Sequence, residues 1–234
     1  FSAAIKTTED RMTVSVKGAS FDTRPLIKSM LTTRQPADAS KPGDGSGVDM
    51  AVDASFDRVY ANRGEVITGV AGKLRVRGGK VAQAEISGSF LSGHPIVMRI
   101  EPSATGRELR VTGRDGGAIL RAANLYSKVA GGELGFVAAN ANDKNSSVRQ
   151  GKLTIRNFEV RNEAALAELD ARGKPKKSGP RREGLAFTKL TLPFTSDDRF
   201  VKIGESLIKG ADLGATAEGV IRKADGAKIG RAHV

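Results

Sequence analysis

Chemistry in this chain would have to come from very few residues. There are two histidines and no cysteine, so a Ser-His-Asp arrangement would rest on His94. A zinc site built from imidazole and thiolate has too few ligands. His94 follows Ser92-Gly93 and precedes Pro95, which reads as an exposed histidine in a turn. Asp49, Asp53 and Asp57 recur every four residues; on a strand that spacing sets neighbouring carboxylates about 13 Å apart, too far to share a cation. They read as a solvated face. Asp143 with Asn140 and Asn142 reads as a turn cluster without an EF-hand frame. Gly43-Asp44-Gly45-Ser46-Gly47 has neither a Gly-Lys-Ser/Thr nor a Gly-x-Gly-x-x-Gly frame, so it reads as linker and not as a phosphate cradle. The residues point away from catalysis, and no cofactor or metal is expected.

The charge is more informative. Thirty-eight basic against 26 acidic residues give a formal net charge of +12, which raises an anionic surface as a partner. Arg172, Lys174, Lys176, Lys177, Arg181 and Arg182 cluster around Pro175, Gly179 and Pro180. This segment, 172–183, reads as a flexible exposed loop, either a solvated linker or a contact with lipid headgroups. Nucleic acid is not expected, because no helix-turn-helix is recognisable and no aromatics interleave with the cations to stack bases.

The elements that would position any site are strands. Val48, Met50, Val52, Ala54 and Phe56 alternate with Asp49, Ala51, Asp53, Ser55 and Asp57, the two-residue period of a strand with one apolar and one polar face. The same period recurs in Met12, Val14 and Val16, in Leu74 and Val76, in Leu109 and Val111, in Leu153 and Ile155, and in Leu213, Ala215 and Ala217. Glycines in Arg77-Gly78-Gly79-Lys80 and Ser92-Gly93-His94 mark turns between hairpins. The expected fold is mainly β: a long, curved antiparallel sheet, a taco-like groove, with about three short amphipathic helices. Hydrophobic residues are 39% and aromatics 5%, with no Trp, lean for a closed globule of 234 residues. A one-sided sheet must cover its apolar face with helices, with itself, or with something that is not protein.

Three helices are expected. One is capped by Asp22 or Thr23 and carries Leu26, Ile27, Met30 and Leu31; one starts after Asp115 and stops at Gly131; one spans Glu163 to about Ala171 after Asn162. A helical turn is expected from Glu205 to Lys209. The apolar phase moves from odd (Leu153, Ile155) to even (Phe158, Val160), which predicts a β-bulge near Arg156 and Asn157. The organisation is then leading strands, helix and mobile loop (1–47), a first sheet segment (48–171), the basic loop, and a second sheet segment (184–228). The chain opens inside strand-like sequence without Met, so a preceding segment is expected. The tail Ile229-Gly230-Arg231-Ala232-His233-Val234 matches one reading frame of a sequencing-adapter oligonucleotide, so residues 229–234 are expected to be an artefact. His233 therefore carries no functional weight.

Several pieces in succession resemble the AsmA-like C-terminal domains of AsmA/YhdP/TamB-type bacterial envelope proteins. They are Arg107-Glu108-Leu109-Arg110-Val111-Thr112, Asp115-Gly116-Gly117-Ala118-Ile119-Leu120-Arg121, Leu125-Tyr126 and Gly131-Gly132-Glu133-Leu134. Gly151 to Phe158, Phe187, Leu192-Pro193-Phe194 and Gly210 to Gly219 follow, so the resemblance runs from about Val48 to Lys228. The basic insert after Arg172 departs from it. The resemblance implies a segment of a longer chain, anchored in the inner membrane and lying in the periplasm of a Gram-negative cell. Its β-groove would carry phospholipid acyl chains toward the outer membrane without any catalytic residue. Groove candidates are Val48, Met50, Val52, Phe56, Leu74, Val76, Leu109, Val111, Leu153 and Ile155. The alternative is a non-catalytic scaffold of the envelope whose apolar face is packed under its own helices.

Overall fold

The computed structural model describes residues 2–8, 11–27, 49–78, 80–141, 147–162, 184–210, 214–223 and 228–233. Within them, thirteen strands form one open, curved sheet in sequence order. The strands are β1 (Ser2–Thr8), β2 (Arg11–Asp22), β3 (Asp49–Tyr60), β4 (Val66–Arg77), β5 (Lys80–Phe90), β6 (Pro95–Ser103) and β7 (Gly106–Gly113). After helix α2 come β8 (Val129–Asn140), β9 (Arg149–Arg161), β10 (Gly184–Ser196), β11 (Phe200–Gly210), β12 (Gly214–Arg222) and β13 (Lys228–His233). Residues 24–27 begin a helix, α1, and α2 is Gly116–Ala122. A short 3-10 turn, Asn62–Gly64, joins β3 to β4.

Most of this order follows from local sequence. Glycine in the left-handed region makes the tight turn at Gly93, between β5 and β6. The carboxylate of Asp115 accepts the Ala118 N–H at 2.9 Å and starts α2 as expected. At α1 the first helical bond runs from Ile27 N–H to Thr23 O, while the Asp22 carboxylate accepts the Arg24 N–H. Hydrogen bonding to the Arg24 side chain and backbone N–H holds the Asp22 carboxyl down at about 2. The Thr23 hydroxyl donates to Tyr60 O at 2.9 Å, tying the start of α1 to the end of β3.

Three expectations need correction, and others fall outside the described residues. The sheet is not wholly antiparallel, because β2 and β3 run parallel, with Val14 beside Val52 and Val16 beside Ala54. Such a pair cannot be joined by a tight hairpin and needs a crossover connection. Helix α2 stops at Ala122 and not at Gly131: Asn124 takes a left-handed φ of 55°, and Gly131 lies inside β8 with a φ of 64°. The stretch Glu205 to Lys209 is strand, part of β11. The expected helix at 163–171, the loops at 34–47 and 172–182, and Leu213 lie outside the described residues.

The apolar phase changes in β9, but the expected β-bulge near Arg156 and Asn157 is not formed, because the register with β8 and with β10 runs through it unbroken. Ile155 and Phe158 are both buried, and Asn157 between them has a φ of 52°. Register with β8 is the same on both sides, because Leu134 pairs Ile155 and Gly131 pairs Phe158. Gly132, opposite Asn157, compensates with a φ of 88°. In β4, Gly69 (φ 57°) plays a similar part, and the β4–β5 register shifts between Thr68 and Ala71. Irregularities aligned across adjacent strands bend a sheet and increase its twist while keeping the apolar side chains on one face.

The closed core is small and lies at one end of that face, under α2. It joins Phe90, Ala118, Ile119, Leu120, Leu134, Ile155, Phe158 and Phe187, with Ile67, Ile96, Val111 and Leu153 packed against it. The Phe158 and Phe187 rings stack with centroids 5.4 Å apart. Helix α2 sits so close to β8 that a Cβ on Gly117 would lie 2.3 Å from the Val129 carbonyl oxygen. Gly117→Ala is therefore expected to cost about 1–3 kcal/mol through overpacking, read as a lower urea midpoint. An unchanged midpoint would mean that α2 is free to lift off the sheet.

Candidate functional site

The largest feature available to a partner is the apolar face itself. Directly paired residues on adjacent strands share a face, so the register can be followed across the molecule. One row runs through Ile5, Val14, Val52, Leu74, Ala84, Ile100, Leu109, Ala138, Gly151, Phe194, Ile203, Gly219 and Gly230. It contains one residue from each of the thirteen strands, and none is polar or charged. At about 4.8 Å per strand the row extends about 58 Å along the sheet. Beside it a second row runs through Ala3, Val16, Ala54, Gly72, Ile86, Met98, Val111, Phe136, Leu153 and Leu192, again without a polar group.

Nine of the ten candidate residues fall among the described positions and share this face, but not the same cover. Met50 pairs with Val76 and Val52 with Leu74; these four, with Phe56 and Leu109, are half-buried. Helix α2 makes most of its contacts with β8, β9 and the 3-10 turn. Phe56 stacks on Phe21 at 5.1 Å between ring centroids. Val111 and Leu153 lie at the margin of the closed core. Ile155 is a correction, because it is 0% exposed beneath α2 and is not on the uncovered part of the face. Val48 and the cations Arg172, Lys174, Lys176, Lys177, Arg181 and Arg182 lie outside the described residues.

The opposite face is polar, as the aspartates implied. Asp53 is exposed opposite Lys73, Lys73 is opposite Glu85, and Glu85 is opposite Arg99. The Glu85–Arg99 pair closes to 2.7 Å, and its hydrogen bond to Glu85 raises the Arg99 pKa. Asp49 meets Arg77 at 3.4 Å, while Asp57 is exposed. Such exposed pairs are screened by solvent and add little to stability. A shallow depression of about 360 Å³ on this face, lined by Ser15, Lys17, Asp53, Ser55, Lys73 and Glu85, carries charges of both signs. His94 is an exposed turn residue whose Nδ1 lies 3.0 Å from Ser92 Oγ. Among the described residues, no group of three or more His, Asp or Glu is placed to hold a metal.

Sequence reasoning missed several members of the face. Ile96, Met98 and Ile100 alternate at strand spacing and would have been found by the same rule that found Leu109 and Val111. Phe136 and Phe194 stack at 5.5 Å across β8 and β10; their strands are separated by β9, so no local pattern connects them. Comparison with models of protein families, with curated proteins and with solved structures found no match for the chain.

Proposed function

We propose that this chain is a periplasmic segment of an inner-membrane-anchored, AsmA-like envelope protein, and that its apolar face carries phospholipid acyl chains in service of outer-membrane homeostasis. The observation behind this reading is the thirteen-residue apolar row, with α2 packed beside it on β8 and β9. An acyl chain laid along the row would exchange water for Val, Leu, Ile and Ala side chains. Each buried methylene is worth about 0.8 kcal/mol, so some fifteen of them gain on the order of 10 kcal/mol before the ordering of the chain is subtracted. Sliding a lipid along such a surface breaks no covalent bond. The reading therefore needs no catalytic group.

The rival reading is an envelope scaffold, and the closed core around Ile155 is what favours it. Organic extraction and native mass spectrometry of the purified chain separate the two. Co-purifying phospholipid is expected, together with binding of a fluorescent phospholipid by chain stripped of its native lipid. A folded chain that carries no lipid and binds none would leave the scaffold as the better account.

A further inference from the structure

The strands end in two rims, and the rims differ. One carries the start of α1, the β3–β4 and β5–β6 turns and the stretch from α2 into β8; the other carries the β4–β5, β6–β7 and β10–β11 turns. Among the described residues eight large apolar or aromatic side chains are exposed, and six of them, Phe21, Leu26, Tyr60, Leu91, Leu125 and Tyr126, lie at the first rim. None lies at the second, whose turns expose Arg77, Glu101, Arg107, Asp198 and Arg199. We propose that the first rim docks on an anionic phospholipid bilayer, with Leu91 and Leu125 entering its interfacial layer.

Single exposed apolar residues are ordinary on a protein surface, but these are gathered at one rim and held in place. Phe90 is 2% exposed and its neighbour Leu91 is 72% exposed. The Phe90 N–H donates to His94 O at 3.0 Å and the Gly93 N–H to Phe90 O at 2.8 Å, so the turn that buries one side chain presents the other. After α2, the Asn124 N–H donates to Arg121 O and the Leu125 N–H to Leu120 O, both at 2.9 Å, the two bonds of a Schellman motif. That motif commonly packs the side chain in the place of Leu125 back on the helix, yet Leu120 is buried and Leu125 is 60% exposed. Asn62 Nδ2 donates to Ala122 O and Arg63 Nε to Asn124 Oδ1, both at 2.9 Å, which clasps the turn after Tyr60 to the turn that carries Leu125. The pairing of Ile67 with Phe90 brings Leu91 toward the same turn. Apolar tips whose backbone is fixed before binding lose little freedom when they insert.

A bilayer suits this rim better than a protein groove does. The leucines stand on separate turns that also expose Arg63 and His94, and a fluid surface accepts spaced tips without a matching shape. Both of the chain's tyrosines are here, and a ring with a hydroxyl at its tip suits the boundary between water and hydrocarbon. The formal net charge of +12 adds long-range attraction to anionic headgroups. This contact does not rest on the acyl-chain reading above, although a rim held at a bilayer would set the groove beside a source of lipid.

The test is flotation of the full chain with mixed phosphatidylglycerol and phosphatidylcholine vesicles. It compares the native sequence with Leu91→Gln/Leu125→Gln and with Leu207→Gln, which removes an exposed leucine from β11. Because the chain has no Trp, Leu91→Trp and Leu207→Trp each place a single fluorophore, at the rim or away from it. The native chain is expected to float, with binding lowered about tenfold or more in the rim variant and less than about twofold in Leu207→Gln. Vesicles are expected to shift the emission of Leu91→Trp to the blue and to leave that of Leu207→Trp in place. No flotation of the native chain, equal loss in both Gln variants, or flotation without a blue shift in Leu91→Trp would overturn the docking. Sedimentation is measured in parallel, and a native chain that self-associates without floating, and turns monomeric in the rim variant, would assign the rim to a second copy instead. Absence of flotation beside co-purifying phospholipid would sink the rim and leave the acyl-chain reading standing, and flotation by a chain that carries no lipid would do the reverse.

Discussion

Ile155→Asp is expected to unfold the part of the sheet under α2. Ile155 is 0% exposed and packs beneath Gly116 and beside Leu134 and Gly132. A carboxylate there would have no water and no cation. Burying an unpaired charge belongs to the small set of changes that cost more than about 4–5 kcal/mol, a large share of what a typical domain has to lose. The expected result is loss of cooperative urea unfolding and of strand circular dichroism at low denaturant. Ile155→Val, which removes one methylene, should cost only about 0.5–1.5 kcal/mol and keep the transition. A variant Ile155→Asp with the native midpoint would show that the core under α2 is open to solvent.

How much of this was legible before the structure depends on what two-residue periodicity can encode. Alternation in Met50, Val52, Leu74 and Val76 fixes which side chains share a face, and the cross-strand pairs bear that out. It carries no information about strand direction, so the parallel β2–β3 pair could not be read from it. A shifted phase is ambiguous in another way. Around Asn157 it predicts a β-bulge, where the strand instead keeps its register through a left-handed residue, and from Glu205 to Lys209 a helical turn is expected where the chain is an irregular strand. There the β11–β12 register moves between Ile203 and Ser206, and the Ser206 hydroxyl donates to its own strand's Gly204 O. Local spacing cannot separate a bulge from a turn of helix.

The site was legible to a lesser degree. Leu153 and Ile155 are equivalent in sequence, two residues apart on one strand face. They differ in fate because α2, more than thirty residues earlier in the chain, lies over Ile155 and reaches Leu153 only at its margin. Cover is a property of tertiary placement.

Val52→Asp should separate the two readings of the apolar face most sharply. Val52 lies between Val14 and Leu74 on β3, away from the strands β8 and β9 that α2 packs on, and it is half-buried. If acyl chains lie along this row, a carboxylate placed among them costs several kcal/mol of desolvation. Each 1.4 kcal/mol is a factor of ten in affinity, so phospholipid co-purification is expected to fall by about a hundredfold or more. The fold should survive, because the new carboxylate can reach water once the lipid has left, and the α2 core at the other end of the face is untouched. Phe56→Asp should lose lipid equally, with an added stability loss of about 0.5–1.5 kcal/mol from breaking its stack with Phe21, which makes Val52 the cleaner probe. Circular dichroism is run beside lipid extraction on each variant. Unfolding of both would mean that this end of the face is packed as tightly as the end beneath α2, and it would favour the scaffold over lipid carriage.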